Sequence, residues 1–280
     1  MTYFFRNKWI VITGAGHGIG MEFATQLAKH GANLLLSDID IQSLDILAET
    51  LRQKHSNIRI STKKVDVSNR IEMEDWVCEI EQITSVVDIV FNNAGITVTA
   101  QFHKHSWEDW ERVIGVNIWG VIYGCRLFLP LLQKSSAGRI VNMSSLFGII
   151  AMPNQAAYCL SKYAVRGLSE ALWEEFRDKI EVTVVHPGGI QTKIIERNSS
   201  SSQEYQNHVA DFFRHNTMKV DSAVRFILQG IEKGKRRIVV TREAVLFDRV
   251  KRIFPIWGNR WCYRQIHSSM KLQEVDRFMS

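Results

Sequence analysis

Proline and cysteine are scarce in this chain of 280 residues, with 4 of each. The cysteines, Cys78, Cys125, Cys159 and Cys262, lie far apart and show neither metal-ligand spacing nor a disulfide framework, which fits a reducing compartment. No apolar run approaches the roughly 18 residues of a membrane-crossing helix. The start, MTYFFRNKWIVITG, has no basic leader, no apolar core of suitable length and no small-residue cleavage site, so no signal peptide is expected and a cytoplasmic location is. A Pro/Gly linker that would split the chain is missing, and so is any solenoid-type repeat. With 45% apolar and 23% charged residues, the composition excludes a disordered chain and suits one large domain.

What is present is a regular alternation. Strand-length apolar runs fall at 9–13, 32–38, 58–66, 87–93, 138–145, 180–187 and 236–241. Helix-period segments lie between them, at 18–30, 41–55, 69–83, 106–114, 117–134, 156–178 and 220–233. Several strands are continuous apolar runs, the mark of a parallel sheet covered on both faces. Repeated strand–helix–strand units with right-handed crossovers give an α/β, doubly wound sheet of about seven strands, with ligands expected beyond the carboxyl ends at the switch point. The short polar patch NSSSSQ at 198–203 reads as a mobile loop.

Between the first strand and the first helix stands TGAGHGIG, residues 13–20. Gly14, Gly18 and Gly20 leave room for a tight turn and for backbone N–H groups to approach a pyrophosphate. The second strand ends at Asp38, about 20 residues on, where a carboxylate accepts from ribose hydroxyls and repels a 2′-phosphate. That favours NAD over NADP, and Ile39 follows where an arginine would grip a phosphate. Asp40 could instead simply open the next helix, and a protonated His17 could soften the repulsion.

The glycine spacing G-x-x-x-G-x-G, then Asn92-Asn93-Ala94-Gly95, Asn117, Ser145 and YCLSK at 158–162 recur in one order. Collectively these motifs resemble the short-chain dehydrogenase/reductase family, over about residues 7–240, and imply its Rossmann-like fold. The 13 residues from Ser145 to Tyr158 match that family's spacing and select Ser145 over Ser144. The resemblance implies that Tyr158 is the general acid/base, that Ser145 steadies the substrate oxygen, and that Lys162 binds the nicotinamide ribose and lowers the tyrosine pKa. Asn117 would hold a water on the proton path. Gly14, His17, Gly18 and Ile19 would line the pyrophosphate, with Gly20 completing the turn. Asp66 and Val67 would contact adenine, and Asn93, Ala94 and Gly95 would floor the adenosine site. In HPGGIQT, Ile190 and Thr192 would hold the carboxamide, with Pro187 in the same loop. Met152 and Pro153 fall where substrate contacts are expected, and residues 192–217 correspond to a substrate lid or, alternatively, pack on the sheet edge or another subunit.

The chemistry has its own logic. A free phenol titrates near 10, too high for a base at neutral pH, and a nearby ammonium favours the phenolate. Positions i and i+4 share one helical face, so Tyr158 and Lys162 can enter one cleft. A lone helical tyrosine is ordinarily a core residue; the company of Ser145, Lys162 and Asn117 favours the catalytic reading. The expected reaction interconverts an alcohol and a carbonyl on an apolar small molecule. An NADP-linked carbonyl reductase and a catalytically silent nucleotide-binding scaffold or sensor are the alternatives. His103, His105, His186 and His208 lack metal spacing, and no metal is expected. The resemblance also implies pairing through the helices near Asn117 and Tyr158, giving a homodimer or homotetramer.

The net charge of +6 is unevenly spread. Residues 1–217 carry 21 Lys/Arg against 23 Asp/Glu, and residues 218–280 carry 14 against 6. Family members end soon after the last strand; here residues 242–280 add a basic, aromatic extension to the domain of residues 1–241. Pro255 and Gly258 divide it into two expected helices. It can pack about the cleft or a neighbouring subunit, or rest on an anionic membrane surface. No recognition motif supports nucleic-acid binding.

Overall fold

A computed structural model describes residues 3–190 and 218–269, the side chains to residue 266. Seven parallel strands form one sheet in the order β3-β2-β1-β4-β5-β6-β7. They are β1 (Trp9–Thr13), β2 (Asn33–Asp38), β3 (Ile60–Lys64), β4 (Ile89–Asn92), β5 (Arg139–Met143), β6 (Glu181–His186) and β7 (Arg237–Val239). The order reverses at β1 and β4, which pair through Ile10↔Ile89 and Val11↔Val90, and this puts a crevice beyond their carboxyl ends.

Alternation along each strand feeds two cores, which is why the strand sequences are apolar throughout. Ile10, Ile12, Leu34, Leu36 and Phe91 face helices α1 (Gly18–Lys29) and α8 (Val220–Glu232) through Phe23, Leu27, Val224 and Ile227. Val11, Leu35, Val90 and Ile140 face α3 (Arg70–Ile83), α5 (Gly120–Leu127) and α7 (Ala156–Glu175) through Trp76, Ile80, Val121 and Val165. Each such buried side chain contributes roughly 1.5–3 kcal/mol. Among the described residues the body also holds α2 (Ile41–Lys54), α4 (Trp107–Ile114) and α6 (Leu129–Leu132).

β1 spans its whole apolar run, and the other six strands are one to four residues shorter than theirs, so Asp66 and Val67 lie beyond β3 and not at its end. The helix expected over 117–134 is broken. A π-helical turn, Gly115–Trp119, precedes α5, and Pro130 opens α6. Glycines let α5 lie close on the sheet; a Cβ at Gly124 would sit 1.8 Å from Asn92 Oδ1.

The extension forms α9 (Arg242–Ile253) and α10 (Pro255–Ser269). Pro255 starts the second helix, but Gly258 lies inside it, because a Cβ there would meet Val250 O at 2.9 Å. Ala244, Phe247, Cys262 and Ile266 pack on Leu146, Ile149 and Ile150. Arg237 of β7 holds Asp248 of α9 by two 2.7 Å bonds.

Candidate active site

The β1–α1 turn is built for close approach. Gly14 has φ +65, and a Cβ on it would lie 2.8 Å from Ala94 Cα. At Gly20 a Cβ would lie 2.0 Å from Gly14 O and 2.6 Å from Asn93 Nδ2. Asn93 Nδ2 donates to Thr13 O at 2.9 Å and Gly14 O at 3.0 Å, while Thr13 Oγ1 accepts from the main-chain N–H groups of Asn93 and Ala94. The loops after β1 and β4 are thus tied together. His17 caps α1 without a side-chain bond, and no carboxylate stands in the first turn, which leaves that positive helix end to a phosphate. With the glycine cradle in front of it, this end of the sheet fits a dinucleotide.

Asp38 is buried at the end of β2, and its carboxylate accepts from Gly16 N at 2.8 Å and Asp40 N at 3.0 Å. His17 does not face it; its Nε2 meets Asp40 Oδ2 at 2.9 Å. That bond, with two from Ser43, holds the Asp40 carboxyl down to about 2. Asp40 also caps α2, accepting from Ser43 N at 3.2 Å. Asp66 Oδ1 is taken by a local turn, accepting from Ser68 N and Oγ at 2.9 and 2.7 Å, and Val67 is buried against Gly120.

Ser145 follows β5 as the cap of a 3-10 turn, Leu146–Gly148, and accepts from Phe147 N at 3.2 Å. Its hydroxyl lies near enough to that of Tyr158 on α7 to favour the phenolate. Ser144 turns the other way and donates to Lys162 O at 2.8 Å. Phe147 meets the Tyr158 ring edge-on, with centroids 6.2 Å apart. Burial pushes the Tyr158 phenol up to about 12, against the opposing effect of the Ser145 hydroxyl. The expected depression by Lys162 is not what the chain alone produces. That ammonium is itself desolvated, pushed down to about 8, and donates to Met143 O at 3.0 Å.

Asn117 lies fully buried in the π-helical turn, an interruption frequent at functional sites. Its Nδ2 donates to Ile96 O and Ser161 Oγ, both at 2.9 Å, and its Oδ1 accepts from Ile96 N at 2.9 Å. Its amide donors are spent within the protein, so a water held by the side chain must donate to Oδ1. Gly95 separates Asn117 from Lys162: a Cβ there would lie 3.2 Å from Lys162 Nζ and 3.3 Å from Asn117 Oδ1.

Four of the anticipated chemical residues, Asn117, Ser145, Tyr158 and Lys162, therefore converge, and Gly14, Gly18, Gly20, Asp38, Asn93, Ala94 and Gly95 line the crevice end of the sheet. Ile19 packs beneath the turn, Pro187 O accepts from Leu146 N at 2.8 Å, and buried Ile190 bridges to Met218. Thr192, His208 and the lid segment 192–217 lie outside the described residues. Met152 leans on the extension; Pro153 is exposed.

Two supporting residues were underrated in the sequence. His186 is fully buried, and its Nδ1 donates to Ser145 O at 3.0 Å; burial pushes it down to about 4. Its place at the end of an apolar strand was the available signal. Tyr163, one turn from Cys159, bonds Ile149 O and is met by Lys251 of α9. Only the fold could bring Lys251 there.

The sequence profile of short chain dehydrogenases matches residues 8–203. SadH of Mycobacterium tuberculosis, named as an oxidoreductase, is 40% identical over 255 residues, covering 89% of this chain and 91% of SadH. A cyclohexanol dehydrogenase from an Acinetobacter species is 34% identical over 197 residues, 68% of this chain and 76% of its own. Among solved structures, a short chain dehydrogenase/reductase from Burkholderia phymatum in complex with NAD superposes with a TM-score of 0.81 at 27% identity, covering 89% of this chain and 94% of that one. A short-chain dehydrogenase from Sphingobium yanoikuyae in complex with NADPH shares the fold, with a TM-score of 0.74 at 24% identity, over 91% and 94% of the two chains.

Proposed function

The chain belongs to the short-chain dehydrogenase family, and on that premise we propose that it interconverts an alcohol and a carbonyl on an apolar small molecule with NAD(H), Tyr158 acting as general acid/base. The observation that carries this reading is the Lys162 ammonium 5.5 Å from the centre of the Tyr158 ring, with the Ser145 hydroxyl beside the same phenol. A nicotinamide dinucleotide, held by the glycine cradle, Asp38 and Lys162, supplies the hydride acceptor or donor and, when oxidised, a positive ring charge.

In the oxidative direction the Tyr158 oxygen takes the proton of the substrate hydroxyl. Ser145 Oγ donates to the same substrate oxygen and holds it against the phenol. The chain's own groups leave Tyr158 protonated near neutral pH, so the phenolate depends on added positive charge beside it. Lys162, with protons to spare beyond the one given to Met143, is placed to hold the dinucleotide whose oxidised ring would bring that charge. In the reductive direction the same phenol gives its proton to the carbonyl oxygen.

NAD is favoured by Asp38, whose charge is fixed toward the cradle by Gly16 and Asp40. The Burkholderia relative solved with NAD supports the same choice. An apolar substrate is supported by Phe147, edge-on to the Tyr158 ring, and by the likeness to a cyclohexanol dehydrogenase. Self-association through α5 and α7, giving a homodimer or homotetramer, is supported by Trp119 and Leu160, each 48% exposed.

Tyr158→Phe is the direct test. Turnover of an apolar alcohol should fall by at least about 10²–10⁴-fold, while NADH binding followed by fluorescence stays within about twofold. Retained turnover would sink the assignment.

A further inference from the structure

We propose that the turn joining α9 and α10 seats this protein on an anionic lipid bilayer. Residues 252–257 are all exposed, and the apolar ones among them strongly so: Ile253 70%, Phe254 52%, Ile256 90% and Trp257 59%. An apolar tip so open is costly in water unless something covers it. The tip is not a loose end. Gly258 is buried against α9, Cys262 and Ile266 enter the cluster around Phe247, and Asn259 Oδ1 accepts from Ala151 N at 2.9 Å. Phe254 meets Trp257 edge-on at 5.5 Å, and Trp257 stacks on Trp261 at 6.5 Å. The apex is therefore a rigid wedge of aromatic and branched side chains.

Its surroundings carry one sign of charge. Residues 242–266 hold six Lys/Arg against two carboxylates, Glu243 and Asp248. Asp248 is already engaged by Arg237 and Arg252. Arg249, Arg260 and Arg264 are exposed, and among the described residues no carboxylate pairs with them. Apolar side chains at a tip with arginines set back from it match a bilayer, whose acyl boundary takes the first and whose anionic headgroups take the second. A second copy of this chain fits worse, because a symmetric contact would bring the same arginines face to face. A nucleic acid would meet the charge but leave Ile253, Phe254 and Ile256 against water. Among the described residues no helix is long and apolar enough to cross a membrane, so the contact is peripheral. The proposal does not depend on which alcohol or cofactor the cleft takes.

The test is flotation of the full chain with vesicles of phosphatidylcholine alone and of phosphatidylcholine mixed with phosphatidylglycerol. The protein should float with the mixed vesicles, stay behind with the neutral ones, and be released by high salt. Arg249→Gln and Arg260→Gln should each weaken vesicle binding about fivefold. Ile256→Glu with Trp257→Glu should abolish it, with the thermal midpoint and the turnover of a water-soluble alcohol unchanged as the check on folding. Equal recovery from both vesicle types overturns the proposal, as does flotation of the Ile256→Glu/Trp257→Glu variant at the wild-type level. A wild type that stays behind, yet forms an oligomer in light scattering that the same variant dissociates, overturns it in favour of a second copy.

Discussion

The Lys162 ammonium donates to the main-chain oxygen of Met143 at 3.0 Å while standing 5.5 Å from the centre of the Tyr158 ring. One bond thus fixes a buried cation at the end of β5, where the proposed chemistry needs it and burial costs stability. Burial brings its pKa from 10.5 down to about 8. The folded value lies below the unfolded one, so the burial penalty is fully present below about pH 8 and is relieved as pH rises toward 10.5. Lys162→Met removes that penalty but leaves Met143 O without its partner. We expect a net gain on the order of 1 kcal/mol at pH 7, shrinking as pH approaches 10, together with loss of turnover. Thermal unfolding across pH checks the first part; a destabilised variant at pH 7 would refute it.

His186 gives a dependence at the acid end. It is buried neutral with a folded value of about 4 against an ordinary 6.5. The unfolded chain therefore binds the extra proton first as pH falls through 6.5, and stability declines until about 4. Between pH 7 and pH 5 the loss amounts to about 2 kcal/mol. His186→Asn keeps a donor for Ser145 O and cannot titrate, so its urea midpoint should vary less over the same range. Parallel pH profiles for the two proteins would rule His186 out as the source.

Gly95 separates the lysine from the asparagine by less than a methyl group needs. In Gly95→Ala, Cβ contacts of 3.2 Å to Lys162 Nζ and 3.3 Å to Asn117 Oδ1 force one of them to shift by a few tenths of an ångström. In the proposed mechanism, displacing the Lys162 cation costs rate more than fold. We expect kcat to drop about 10–100-fold with the thermal midpoint nearly unchanged. Wild-type kcat would mean that the lysine's position is not critical.

Cofactor choice can be moved at the end of β2. Ile39 is 60% exposed beside Asp38, so an arginine fits there without repacking. Asp38→Ser with Ile39→Arg removes the repelling carboxylate and adds a bidentate phosphate ligand. The NADPH-to-NADH affinity ratio in fluorescence titrations should rise about 100-fold or more. An unchanged ratio would place the adenosine 2′ position elsewhere.

The sheet was legible because both its faces are covered: β1 as WIVIT and β2 as NLLLSD leave no polar face to confuse the pattern. The separation of Ser145 from Ser144 was legible through spacing, and the structure turns only Ser145 toward Tyr158. The helix end at Ile114 was legible too, but the π-helical turn that follows it was not, since such a turn leaves the apolar period nearly intact. Strand ends were overread because residues such as Val65, Val67 and Ile180 are buried without being paired in the sheet. The rise of the Tyr158 pKa in the chain alone was not legible for a different reason. Sequence shows which charges are near a phenol, but not how much water burial removes. Lys251 reaching Tyr163 across 88 positions is long-range packing, which local pattern does not encode.

The attachment of the extension gives a last prediction. Asp248 and Arg237 are 11% and 16% exposed and exchange two 2.7 Å bonds, and Arg252 adds a third contact at 3.3 Å. Desolvation raises the Asp248 carboxyl, but the hydrogen bonds and charges of Arg237 and Arg252 together hold it below its usual range. Asp248→Asn keeps the shape but leaves Arg237 charged, largely buried and uncompensated, at a cost of about 3 kcal/mol. Replacing both partners, Arg237→Met with Asp248→Leu, removes the stranded charge and should recover most of that loss. A double-mutant cycle in urea measures the coupling directly. If the single and double variants unfold at the same midpoint, the ion pair does not hold α9 to β7, and the apolar contacts of Ala244 and Phe247 carry the attachment alone.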